Sequence, residues 1–327
     1  MITRRGFLGI AAAGCIAHPR RARAQASTKM PRVAYVGSRQ GFTQNGQAFI
    51  DGLRAAGRVP GENCVLDVRT YDPSQAESLS GIAAQLVTAG VDVILAAGPS
   101  AIDVVTKATK SVPIVGVDIE SDPVAKGWVA SLAKPGGNFT GFFLDTPEVS
   151  GKQLQFLREI QPGLTRVAVI GDPRVNEPQF RAIEAAARSV GLTLQTVRIK
   201  TEDEVASAVD EVARQRAGAL VVLTSPLVFG AAPRIANAAL KHRLPSICPF
   251  SPRFAEAGGL LAYGPDLPDL FRRSAEYVDR ILKGAKPADL PIQRPEKFLL
   301  VVNLKTARAL KLALPAGLVQ RSDRVIE

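Results

Sequence analysis

Arg32-Val33-Ala34-Tyr35-Val36-Gly37 and Arg166-Val167-Ala168-Val169-Ile170-Gly171 spell nearly the same six residues, 134 positions apart. Each is a short β-branched and apolar run that stops at a glycine. A run that is apolar at almost every position belongs to a strand covered on both faces, as in a parallel sheet flanked by helices. The stretches around the first copy continue the alternation. A helix is expected over 43–56 up to Gly57, a strand over 64–71, a helix over 74–89 up to Gly90 and a strand over 91–97. A helix over 100–109 and a strand over 112–117 follow, and Gly136-Gly137-Asn138 turns the chain into another apolar run over 139–144. Strands alternating with amphipathic stretches build βαβ units. The second copy restarts the series. Val221-Val222-Leu223 stands 128 positions after Val93-Ile94-Leu95, and Leu244-Pro245-Ser246 stands 132 after Val112-Pro113-Ile114. Valine-rich strands look alike by chance, but chance does not give three matches in one order at nearly one spacing. The expected architecture is α/β, with two similar Rossmann-like lobes built on parallel sheets.

That architecture says where a ligand binds. In open α/β sheets it sits beyond the carboxyl ends of the strands, where helix N-termini offer free N–H groups and partial positive charge. The residues just after each strand are therefore the candidates. Ser38 follows the first strand, and Phe42 stands near enough to line an apolar pocket. Gly98 and Ser100 open a helix, where Ser100 either caps the N–H groups or holds a carboxylate. Asp118 ends the 112–117 strand and Asp122 lies in the next loop; either suits an ammonium group or a local turn. Asp172 and Asn176 occupy the place of Ser38 in the second copy, and Thr224 and Ser225 mirror the Gly98 turn. Tyr263 follows Leu260-Leu261-Ala262 and suits either aromatic stacking or plain packing, and Phe229 suits an apolar wall.

Several classes are disfavoured. The first 26 residues read as a signal peptide of the twin-arginine type. Arg4 and Arg5 precede Phe7-Leu8, a short Ala/Gly-rich apolar run follows, and small residues surround Ala24 and Ala26. Cys15 is a weaker candidate for lipid attachment, because Ala12 stands where such signals place leucine. No stretch approaches the roughly 18 apolar residues of a membrane helix. Removing 1–26 takes five arginines and no acid, which lowers the net charge from +11 to +6. No basic cluster is interleaved with aromatics, so nucleic acid is not an expected partner. Of two histidines, only His242 lies beyond the signal, flanked by Lys241 and Arg243 near a helix end, where a cation suits the dipole. That leaves little for a Ser-His-Asp apparatus and nothing for a multi-histidine zinc site. No Walker loop or GxGxxG motif follows a strand. No catalytic residue, metal or cofactor is expected. Cys64 and Cys248 fall in different halves and read as two buried thiols rather than a disulfide.

Further segments carry a family likeness. Ser121-Asp122-Pro123-Val124, the stretch Ser131-Leu132-Ala133-Lys134-Pro135-Gly136-Gly137-Asn138-Phe139-Thr140-Gly141, the helix end Tyr277-Val278-Asp279-Arg280-Ile281-Leu282-Lys283-Gly284, and Lys297-Phe298-Leu299-Leu300-Val301-Val302-Asn303-Leu304-Lys305-Thr306-Ala307 resemble the bacterial ABC transporter substrate-binding family that includes tryptophan/tyrosine-type binding proteins. The likeness implies a type I periplasmic-binding-protein fold whose lobes are joined by three crossings. It implies lobe one over 27–145 with 264–288, and lobe two over 146–263 with 289–327. It further implies a carrier of a small solute, such as an amino acid, handed to an ABC permease in the inner membrane; with the export signal, the expected location is the periplasm, and a monomer is expected. A ligand-sensing receptor of the same fold is the second reading, and a secreted α/β hydrolase the third.

Overall fold

The computed structural model describes residues 30–144, 146–249 and 251–327. The signal segment, with Arg4, Arg5 and Cys15, lies outside the described residues. From residue 31 the chain lays down β1 (Arg32–Ser38), α1 (Arg39–Ala55), β2 (Val65–Tyr71), α2 (Leu79–Thr88), β3 (Val93–Ala97), α3 (Pro99–Ala108), β4 (Ile114–Asp118) and β5 (Phe139–Phe143). These strands form one parallel sheet in the order β2-β1-β3-β4-β5. A second series follows: α4 (Thr146–Ile160), β6 (Arg166–Gly171), α5 (Pro173–Ser189), β7 (Thr193–Arg198), α6 (Val205–Arg214), β8 (Ala219–Val222), α7 (Pro226–Lys241), β9 (Ser246–Cys248), α8 (Ser251–Glu256) and β10 (Leu261–Pro265). The long α9 (Leu267–Leu282) comes next, then β11 (Phe298–Asn303), α10 (Leu304–Leu310), α11 (Ala316–Gln320) and β12 (Arg324–Ile326).

The second sheet runs β7-β6-β8-β9-β10, the same order as the first, and then adds β11 and β12. The two six-residue copies thus hold the same place, next to the edge, in separate sheets. The fold is α/β with two parallel-sheet lobes, as the repeat implies; among the described residues β11 alone pairs antiparallel, against β10.

Alternation explains the continuous apolar runs. Val33, Tyr35, Val93 and Leu95 point to one face and pack with Phe49 and Leu53 of α1 and Phe271 and Val278 of α9. Ala34, Val36, Ile94 and Ala96 point to the other and pack with Leu79 and Leu86 of α2 and Ile102 and Val105 of α3. With both faces of the sheet covered, the middle positions of these strands are almost all apolar.

Helix starts differ from the sequence pattern at two places. α1 begins at Arg39 rather than 43, because Ser38 caps it and accepts the N–H of Gly41 at 3.1 Å. α2 begins at Leu79 rather than 74. The preceding 73–78 segment is a 3₁₀ turn in which Gln75 departs from helical angles (φ −124°). Cys64 is a free buried thiol and Cys248 is buried in β9, so no disulfide joins them.

Three passages link the lobes: after β5, between β10 and α9, and through 294–297 into β11. The last of these runs between the other two. Gln293 donates its N–H to Gly141 O and accepts that of Phe143, both at 2.9 Å. Asp266 donates its N–H to Lys297 O at 2.9 Å, and Lys297 Nζ pairs with Asp266 Oδ2 at 2.9 Å. Residues 289–293 therefore side with the first sheet, where the free edge of β5 needs backbone partners, and not with the second as expected.

Candidate functional site

The carboxyl ends of β1, β3, β4 and β8 converge on a cavity of about 80 Å³ walled by both lobes. From the first lobe come Ser38, Gly98, Ile119 and Glu120; from the second come Ser225, Pro226 and Phe229. Phe271 of α9 and Tyr35 of β1 complete an aromatic side. The lobes touch here: Thr224 Oγ1 lies 3.5 Å from Ile119 O, across the sheets. Beyond Glu120 a wider space of about 390 Å³ opens between Asp122, Phe143, Pro178, Ala182, Ile292 and Arg294.

Each strand end positions its residue through local chemistry. Ser38 is the N-cap of α1. Ser225 caps α7 through the N–H of Val228 at 3.1 Å, and the proline that follows suits the first helical position. Gly98 is the N-cap of α3 with φ +86° and ψ 159°, a conformation open essentially to glycine alone. Having no side chain, it leaves the first-turn N–H groups of α3 uncapped. Ser100 is the second residue of that helix, not its cap, and stands beside Tyr71. Burial pushes the Tyr71 hydroxyl up to about 12.

Asp118 ends β4, 1% exposed, with Oδ1 accepting the N–H of Glu120 at 2.8 Å. Glu120 is 6% exposed, and burial followed by the Asp118 carboxyl raises it well above the ordinary carboxylate range. Tyr35 is fully buried and its hydroxyl has no protein partner; burial, then Tyr71, pushes it above its usual value.

Thus the cavity brings together Ser38, Gly98 and Ser225, with Phe229, and Asp118 stands directly behind Glu120. Other candidates are held elsewhere. Phe42 packs edge-on against Tyr35, ring centroids 4.8 Å apart. Asp122 is exposed and its Oδ1 accepts the N–H groups of Val124 and Ala125, an Asx turn at the rim of the wider space. Asp172 caps α5 and pairs with Arg174. Asn176 ties Asp172 N–H to Thr224 O, and Thr224 bonds to Gln179. Tyr263 stacks on Phe298 and meets Phe156 edge-on within the second lobe.

Sequence reasoning passed over Tyr35, Glu120 and Phe271. Glu120 carried a usable signal: in extended chain, residues two apart project to the same side, so Asp118 and Glu120 belong together. Tyr35 carried one too, as the only position where the two six-residue copies differ by a polar group. His242, by contrast, caps α7 and pairs with Asp210, away from the cavity.

The family described as ABC transporter substrate binding protein matches residues 33–326. The chain is similar to the tyrosine-binding protein of Clostridioides difficile, at 26% identity over 266 residues that cover 81% of this chain and 75% of that one. Its fold is similar to a conserved domain protein of Vibrio cholerae (24% identity, TM-score 0.85) and to an ABC domain of Streptococcus pneumoniae in complex with L-Trp (22%, 0.83), each covering 91% of this chain and 100% of the other. It is also similar to the ligand-free, open substrate-binding protein CD0873 of Clostridium difficile (23%, 0.69), covering 91% of this chain and 99% of that one.

Proposed function

The chain belongs to the ABC transporter substrate-binding protein family, a family of solute carriers and not of enzymes, and on that premise we propose that its interlobe cavity captures an aromatic amino acid or a close relative of one. The observation that carries this reading is the cavity itself. It lies at the strand carboxyl ends, is walled by both lobes, and combines an aromatic side with an uncapped helix terminus and the buried carboxyl of Glu120, with Asp118 next to it. A zwitterion needs a matching group for each charge, because burying either alone costs several kcal/mol. The carboxylate meets the α3 N-terminus, with the Ser38 and Ser225 hydroxyls nearby, and the ammonium meets the Asp118 side. Asp122 is the poorer choice, because its carboxylate already serves two backbone N–H groups. Tyr35, Phe229 and Phe271 take the apolar side chain. The tyrosine and tryptophan in the names of two relatives agree with that aromatic wall.

The carrier works outside the cytoplasm, as the family does, and among the described residues no helix is long and apolar enough to cross a membrane. Within that frame we assign it to the periplasm as a monomer without catalytic activity, exported by the twin-arginine route and delivering its solute to a permease. Lobe one takes 27–145 with 266–293, and lobe two takes 146–265 with 294–327.

A thermal-shift screen of the free amino acids tests the reading. At 100 times its Kd, a true ligand adds about 2.7 kcal/mol of stability. L-tyrosine or L-tryptophan is expected to lead the screen, and Asp118→Asn to weaken that ligand by about 2–5 kcal/mol. If neutral sugars stabilise the chain and no amino acid does, the reading fails.

A further inference from the structure

Asp118 and Glu120 place two carboxyls side by side at the end of β4, both more than nine-tenths buried. Asp118 Oδ2 is buried and meets no N–H or O–H of the protein. Among the described residues lining the adjoining cavity there is no lysine or arginine. Two ionised carboxylates confined like this repel one another, and the cavity offers them no cation of its own. A proton on Glu120 resolves both problems, since its O–H supplies the donor that Asp118 Oδ2 lacks. The groups facing Glu120 from other elements do not replace that proton. Tyr71 of β2 and Tyr35 of β1 are neutral phenols. Asp122 adds no positive charge, and although Arg294 lines the wider space together with Glu120, burial and the Asp118 carboxyl still hold Glu120 above its ordinary value. The Tyr35 hydroxyl is an independent sign of a polar guest: it belongs to another strand, lines the same cavity, and is buried without a partner.

We propose that Asp118 and Glu120 form a proton-exchanging cation subsite, on which the solute's ammonium group seats as Glu120 releases its proton to the solvent. This rests on the reading above that the solute carries an amine. One positive charge arrives and one leaves, so the net charge of the buried site is unchanged and no uncompensated ion is created. Tyr35 faces the same guest and accepts a hydrogen bond from it. Two consequences follow. Affinity for an amine rises about tenfold per pH unit over the range in which Glu120 is protonated in the free protein, the slope for one released proton. An analogue lacking the amine gains nothing from the exchange.

The test uses the purified chain with L-tyrosine, tyramine and 3-(4-hydroxyphenyl)propionate. Infrared difference spectra are expected to show the carbonyl stretch of a protonated carboxyl in the free protein. L-tyrosine and tyramine bleach it, and the propionate does not. Calorimetry in phosphate and in Tris, which differ in ionisation heat, is expected to report about one proton released per amine bound. Glu120→Gln loses the band and the release, whereas Glu120→Asp, which keeps a carboxyl, retains release. The proposal is overturned if the free protein lacks the band, or if the two amines leave it in place. Calorimetric binding of L-tyrosine without proton release refutes the exchange alone. No binding by either amine refutes the aromatic amino acid reading with it.

Discussion

Asn176 separates a ligand contact from a structural tie. The sequence offers it as a cleft residue, but its side chain is spent inside the second lobe. Oδ1 accepts the N–H of Asp172 at 2.7 Å, and Nδ2 donates to Thr224 O, which joins the start of α5 to the end of β8. Asn176→Ala leaves the buried Asp172 N–H without that acceptor, at about 1–3 kcal/mol. Thr224 O keeps the Gln179 Nε2 bond at 3.1 Å, so losing the second bond adds only about 0.5–1.5 kcal/mol. The expected destabilisation is about 2–4 kcal/mol, large against a typical total of about 5–15. At about 2–4 °C per kcal/mol the melting temperature falls by roughly 5–15 °C. Urea unfolding and calorimetry with the best amino acid from the screen decide the matter together. The variant is expected to unfold early yet bind within about threefold of the parent at a temperature where both are folded, since the contribution is to stability. A variant of unchanged stability that no longer binds would refute the reasoning and return Asn176 to the ligand.

Three further outcomes are expected. Gly98→Ala meets no steric obstacle, since its Cβ would lie 3.9 Å from Pro226 Cγ, but it forces φ +86° and ψ 159° on a side-chain-bearing residue. The loss is about 1–3 kcal/mol, read by urea unfolding, and an unchanged midpoint contradicts it. Glu120 holds its proton more tightly folded than unfolded, so its contribution is fully present below the ordinary glutamate value and is lost as pH rises through the raised one. The ligand-free parent is expected to lose stability over that interval relative to Glu120→Gln, and parallel pH profiles for the two would argue against a buried proton. Changing Arg4 and Arg5 together to Lys is expected to hold precursor in the cytoplasm, and undiminished periplasmic yield rules out the twin-arginine route.

The repeat was legible because a parallel strand buried on both faces has so few allowed residues that its sequence nearly states its environment. Ser38, Gly98 and Ser225 were legible for a related reason: a strand-to-helix turn needs a cap or a glycine at a fixed place. Side-chain ownership was not legible. Asp172, Asn176 and Tyr263 have the right chemistry at the right height, but whether a polar or aromatic group serves a guest or its own fold depends on neighbours distant in sequence, such as Thr224 for Asn176 and Phe298 for Tyr263. The assignment of 289–293 was hidden likewise, because nothing local announces that an extended segment will pair with β5. Glu120 sits two residues past the end of β4, so its pairing with Asp118 was legible only if the extended chain is carried beyond the strand.

The three linking passages lie edge to edge, with the 293–297 segment bonded to the end of β5 on one side and to Asp266 on the other. A strip laced across its width is compliant in one direction only. It bends readily through its thickness, where each segment changes a few torsions and the lateral bonds survive. Shear or twist would stretch those bonds in turn. If the lobes move, such a joint would act like a leaf spring and favour a single swing. Ser38 and Gly98 on one jaw and Ser225 on the other would then return to the same alignment on closing, and recognition would depend little on the search of orientations that a loose tether would impose.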